Sequence, residues 1–154
     1  MAKLQYKIRE QFVEELEIAL SPSEHYSEQV GRWVKAKITF RFWSGFPEIS
    51  IERSGQETDD VERLIQELRE VVSNENKKSV DFYPLEPDYH FSVTRTGSDY
   101  DVVVVLDATG TQKTGVYCMR GPAIHISSDS EGLLRFADEL EKELEQIKQA
   151  VKTK

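Results

Sequence analysis

Pro47-Glu-Ile-Ser-Ile-Glu-Arg-Ser-Gly-Gln56 leads into an amphipathic stretch ending Leu68-Arg-Glu-Val-Val72, and Pro122-Ala-Ile-His-Ile-Ser-Ser-Asp129 leads into another ending Leu144-Glu-Gln-Ile147. The two read as one unit written twice, a short strand and then a helix, each preceded by two candidate strands. A three-stranded sheet with one helix cannot bury its apolar face alone, whereas two copies side by side can. The expected architecture is therefore α+β: a duplicated βββα unit forming a six-stranded, mainly antiparallel sheet with two helices on one face. Residues 1–154 are expected to form a single domain, with halves at about 14–72 and 89–147 and a linker over 73–88.

Working outward, Glu14 to Leu20 alternates as a strand, and the polar run 21–32 with Pro22 and Gly31 reads as a loop. The clearest strand follows. Val34, Ala36, Ile38, Phe40 and Phe42 point one way, while Trp33, Lys35, Lys37, Thr39, Arg41 and Trp43 point the other. Thr58 or Asp59 is placed to cap the first helix, with Glu62 three residues beyond Asp59, and Val61, Leu64, Ile65, Leu68, Val71 and Val72 form its apolar stripe. In the second half, Tyr89–Arg95 is a strand, Thr96-Gly-Ser-Asp99 a turn, and Asp101–Leu106 a central strand at least partly buried on both faces. A glycine-rich insertion spans 108–121. Ser128 and Glu131 have capping-box spacing before a last helix whose stripe is Leu133, Phe136, Ala137, Leu140, Leu144 and Ile147.

Composition narrows the function. A chain of 154 residues can bury about 70% of its unfolded surface, and its one cysteine, Cys118, cannot bridge internally. No apolar run approaches the roughly 18 residues of a membrane span, and the first residues lack a signal-peptide core, so the expected compartment is the cytoplasm. Twenty-eight acidic against twenty basic side chains leave −8. That charge repels a phosphate backbone and favours a basic protein as partner over nucleic acid.

No residue cluster specifies a reaction. Cys118 with His90 or His125 would be a nucleophile and base, but no activating turn accompanies the thiol, and a small buried cysteine is the better reading. His25, His90 and His125 are scattered, Asp81, Glu86 and Asp88 lie in a proline-bounded connection, and Gly110 and Gly115 open no phosphate-binding helix. No catalytic residue, metal or cofactor is expected. The acidic run Glu139–Glu145 reads as solvated helix surface with Leu140 and Leu144 turned to the core.

The open sheet face is more informative. It is expected to carry Trp33, Trp43, Glu48, Glu52, His90 and His125 beside Lys35, Lys37 and Arg41, and two exposed tryptophans are unusual on a monomer. These six, with Glu86 and Asp88 of the connection, are the candidate binding residues. The opposing reading is that 21–32 or 108–121 folds over the face.

The order of elements, the Glu86-Pro87-Asp88 step into Phe91, and the closing Leu134-Arg-Phe-Ala-Asp-Glu-Leu140 resemble the WapI-type immunity proteins of bacterial polymorphic toxin systems. The resemblance covers nearly the whole chain and implies a cytoplasmic, non-catalytic protein that binds and neutralises a toxin domain, commonly a nuclease. The insertion at 108–121 departs from that pattern. Two other classes compete: an adaptor or dimerisation module docking through the open sheet, and a small-molecule-binding domain or enzyme with a pocket near 108–121. The expected state is a monomer or homodimer.

Overall fold

The computed structural model describes residues 1–8, 11–23, 33–43, 48–84, 89–106 and 121–152. It is α+β, with two four-stranded antiparallel sheets and two helices. The first sheet is the meander β1 (Ala2–Ile8), β2 (Gln11–Pro22), β3 (Trp33–Phe42) and β4 (Ile49–Glu57), followed by α1 (Thr58–Ser73). The second is β5 (Ser79–Phe82), β6 (Tyr89–Thr96), β7 (Asp99–Leu106) and β8 (Ala123–Ser128), followed by α2 (Ser130–Lys152).

The expected single sheet of six strands is thus corrected to two of four. Two strands account for the difference. β1 alternates Ala2, Leu4 and Tyr6 against Lys3, Gln5 and Lys7, and Ala2 and Leu4 are buried. β5 lies within the expected linker, where Val80 and Phe82 are buried between exposed neighbours. Four residues of alternation between prolines and lysines are too short a pattern to stand out. The sheets approach one another where β8 nears β1 and β2.

β3 keeps the expected alternation, with Val34, Ala36, Ile38 and Phe40 buried and Lys37 exposed. β7 is central, hydrogen-bonded to β6 and β8, which is why Val103 and Val105 are half-buried opposite Val102 and Val104. Gly97, at φ 67°, supplies the left-handed residue that a two-residue hairpin loop between Thr96 and Asp99 requires. Inward residues of both sheets join the stripes of both helices in one apolar cluster, among them Phe40, Phe91, Leu68, Phe136 and Leu140.

Both helix starts differ from the expected caps. Glu57 is the N-cap of α1 and makes no side-chain cap bond. At α2, Asp129 and not Ser128 caps, its Oδ1 accepting the Gly132 N–H at 2.7 Å. Gly132 sits where a Cβ would lie 2.5 Å from Ser128 Oγ, so this turn is closed to larger residues unless Ser128 moves. α1 has no basic residue in its last turn. Arg95 of β6 supplies that charge, donating to the Val71 and Val72 carbonyls while lying over the Tyr100 ring. The acidic run of α2 is also revised. Glu139 and Glu143 are half-buried, and their carboxylates accept the backbone N–H groups of Lys3 at 2.9 Å and Leu20 at 2.8 Å. Lys3 is on β1, the edge strand of its sheet, where an outward amide would otherwise lie open.

Candidate protein-binding surface

The outer face of the first sheet is built in cross-strand rows. Register aligns Gln5, Glu15 and Arg41 in one row and Lys3, Glu17 and Thr39 in the next. Because side chains opposite one another on a sheet are within contact range, these rows condense into an ionic network. Arg41 Nη1 donates to Glu15 Oε1 at 2.5 Å and Glu17 Oε2 at 2.9 Å, and Arg41 Nε to Glu48 Oε2 at 2.8 Å. Lys3 Nζ lies 3.2 Å from both Glu15 and Glu17, and Gln5 donates to Glu15. Thr39 Oγ1 is 3.3 Å from Ser50 Oγ.

The face was expected to be open, yet Glu15 and Glu17 are only 5% and 6% exposed and Thr39 is fully buried. Burial by itself raises the Glu15 carboxyl, but hydrogen bonds from Gln5, Arg41 and Lys3 outweigh it and hold the group below its ordinary range. Glu17 shows the same balance, with Arg41 and Lys3 against burial. Arg41 is held more firmly protonated by Glu17, against its own desolvation, and by Glu15 and Glu48. The mixed-charge face expected around Lys35, Lys37 and Arg41 has an ion-paired centre, with Arg41 and Lys3 against Glu15, Glu17 and Glu48.

The tryptophans stand apart. Trp33 opens β3 and Trp43 follows its end, so they stand roughly 33 Å apart along the strand. They cannot touch one partner side chain. Trp43 is 62% exposed, whereas Trp33 is half-buried. Trp43 N–H donates to Val13 O at 2.8 Å, continuing the β2–β3 ladder by one position and keeping Trp43 on the Arg41 side by alternation. Glu48 is exposed beside Arg41, and Glu52 is exposed opposite Lys37, farther along β3.

His90 and His125 belong to the second sheet. His90 Nε2 lies 3.0 Å from Asp81 Oδ1 with Tyr83 stacked on its ring, centroids 4.2 Å apart. His125 Nε2 lies 3.2 Å from Asp101 Oδ1, whose other oxygen accepts from Thr96 at 2.8 Å. The Thr96 bond, more than His125, keeps the Asp101 carboxyl low against its desolvation. His125 also stands within electrostatic reach of Glu14 in β2, offsetting part of the rise that burial imposes there. Glu14 pairs with Phe42 and shares its face with the buried Leu16 and Ile18, on the side of β2 away from Trp43. Glu86, Asp88, His25 and Cys118, and the segments 24–32 and 108–120, lie outside the described residues.

Glu15, Glu17, Lys3 and Gln5 were missed as surface residues by sequence reasoning. The Glu15-Leu-Glu-Ile18 alternation places both glutamates opposite the core, but their partners follow only from strand register. Across the helix layer, α1 and α2 contain eleven acidic and six basic residues. Arg69 of α1 bridges to Asp138 and Glu141 of α2 at 2.7 and 2.8 Å, and Lys148 pairs with Glu62. A polar cleft of about 480 Å³ opens between the end of β1 and the start of α2, lined by Tyr6, Lys7, Ser128, Asp129, Glu131 and Arg135. Its charges are of both signs, with no convergence on one ligand. Among the described residues no three His, Cys, Asp or Glu side chains gather as metal ligands, and no helix is long and apolar enough to cross a membrane.

A search of curated proteins finds no match. Comparison with protein families does, aligning residues 10–148 with the immunity protein WapI-like family. The matched span begins just before β2, takes in every strand but β1 and ends within α2, so of the surface residues above only those on β1, Lys3, Gln5, Tyr6 and Lys7, lie outside it, and the chain belongs to the WapI-like immunity protein family.

Proposed function

We propose that this chain protects its cell by binding a cognate toxin domain of basic charge, such as a nuclease, and blocking it stoichiometrically without catalysis. The family match over residues 10–148 carries the reading. Charge supports it, because a chain at −8 attracts a protein whose own substrate channel must be positive to hold nucleic acid. The contact is assigned to the outer sheet faces, centred on Trp43 and Glu48, with Trp33 and Glu52 farther along the first sheet, His90 and His125 on the second, and Glu86 and Asp88 contributing further negative charge. The protein acts in the cytoplasm as a monomer or homodimer. The chain is one domain whose halves derive from one unit; support comes from the shared order of four strands followed by a helix.

Co-expression with the toxin reading frame beside its gene tests the function. Growth rescue and a complex of equal stoichiometry, formed more slowly as salt rises, are the expected results. No rescue and no binding to any neighbouring gene product would remove the immunity reading and favour an adaptor.

A further inference from the structure

We propose that Trp43 and Glu48 together receive an arginine side chain of the partner; this deepens, and rests on, the reading of the chain as a toxin-binding protein. Three observations converge. Trp43 is one of three large apolar side chains exposed among the described residues, with Met1 and Tyr83, and it shares a face with Arg41 about 7 Å away along the strand. Glu48 is 47% exposed and held against Arg41 through Oε2 alone, leaving Oε1 without a described partner. Among the described residues, the network behind them has three carboxylates, Glu15, Glu17 and Glu48, facing two cations, Lys3 and Arg41. Its surplus negative charge therefore appears at Glu48, the carboxylate that water reaches.

An exposed indole on the face where a half-exposed carboxylate meets Arg41 matches one side-chain chemistry best. A guanidinium stacks flat on the ring while donating in its own plane to the carboxylate, whereas an ammonium can do only one of these well. An anionic segment would meet Glu48 as a like charge. The −8 of the chain favours the same occupant, a basic protein surface and not a second copy of this acidic one.

The test uses the full chain with nitrogen-15 label and hexa-arginine, hexa-lysine and hexa-glutamate peptides. The indole N–H resonance of Trp43 is expected to shift saturably with hexa-arginine, several-fold less tightly with hexa-lysine, and not with hexa-glutamate, while Trp33 serves as the internal reference. Glu48→Gln is expected to weaken the arginine titration several-fold with the spectrum otherwise unchanged. An unmoved Trp43 resonance, or equal affinity in Glu48→Gln, would overturn the proposal. With the cognate toxin, Trp43→Ala and Glu48→Gln are each expected to speed dissociation about tenfold. If the wild-type chain captures toxin but both variants match it within about twofold, the arginine site is wrong and immunity stands. If the wild-type chain captures no toxin, the functional reading fails and the peptide titration alone decides the site. A dimer burying Trp43, seen by light scattering, would replace the arginine by a second copy and refute the assignment.

Discussion

Replacing Arg41 by Leu removes the guanidinium that serves two buried carboxylates at once. The Glu15 and Glu17 side chains are 6% and 8% exposed, and the remaining cation, Lys3, is 38% exposed and 3.2 Å from each. Deleting one partner of a fully buried ion pair costs about 3–5 kcal/mol, because the other charge stays desolvated. Arg41 itself is 31% exposed, so water already screens part of its attraction. A destabilisation of about 2–4 kcal/mol is therefore expected near neutral pH. The pH dependence provides the sharper check. In the native chain both carboxyls are held below their ordinary 4.5, so their contribution is complete above about pH 4.5 and lost as pH falls through the lowered values. Without Arg41, burial acts with less opposition and raises both groups, so the variant takes up protons at higher pH and its deficit shrinks on acidification. Urea unfolding of both proteins near pH 7 and near pH 4 measures this. Loss below about 0.5 kcal/mol near neutrality, or a deficit that does not change with pH, would refute the network as the reason these glutamates are tolerated inside.

Phe40→Ala and Leu140→Ala empty fully buried positions on facing layers, and each is expected to cost about 2–5 kcal/mol by urea unfolding. Arg95→Ala frees the Val71 and Val72 carbonyls at the end of α1, a loss of about 1–2 kcal/mol; amide exchange in the last turn of α1 is expected to accelerate, and unchanged exchange would show that Arg95 does not hold that end. Asp129→Ala removes the observed cap of α2 and is expected to cost about 1 kcal/mol by thermal or urea unfolding. A larger effect from Ser128→Ala than from Asp129→Ala would restore the cap expected from spacing.

Elements whose alternation or stripe is long could be read directly. β3, β7 and both helices appear where the pattern placed them, since burial on one side imposes a period of two on a strand and 3.6 on a helix. The stripes from Val61 to Val71 and from Leu133 to Ile147 are buried as expected. β5 escaped because its four residues are interrupted on both sides. β1 carries a short alternation, Ala2-Lys-Leu-Gln-Tyr, and its place in the sheet rests on pairing with β2. At α2 the cap is Asp129 and not Ser128 because spacing alone does not reveal which side-chain oxygen meets the free amide, and at α1 it is Glu57, whose side chain makes no cap bond.

The candidate surface divides in the same way. Composition determined the acid charge, and the alternation of β3 determined that Trp43 and Arg41 face away from Phe40. Those are local or additive properties, set by neighbours in the chain. Only the tertiary structure decided that Glu15 and Glu17 join Arg41 to Lys3 and that His90 and His125 belong to a second sheet, beside Asp81 and Asp101. The physical reason is that register and sheet-to-sheet placement arise from pairings between distant segments. Each strand states which side chains share its face, but not which strand will lie beside it or how far the two are shifted.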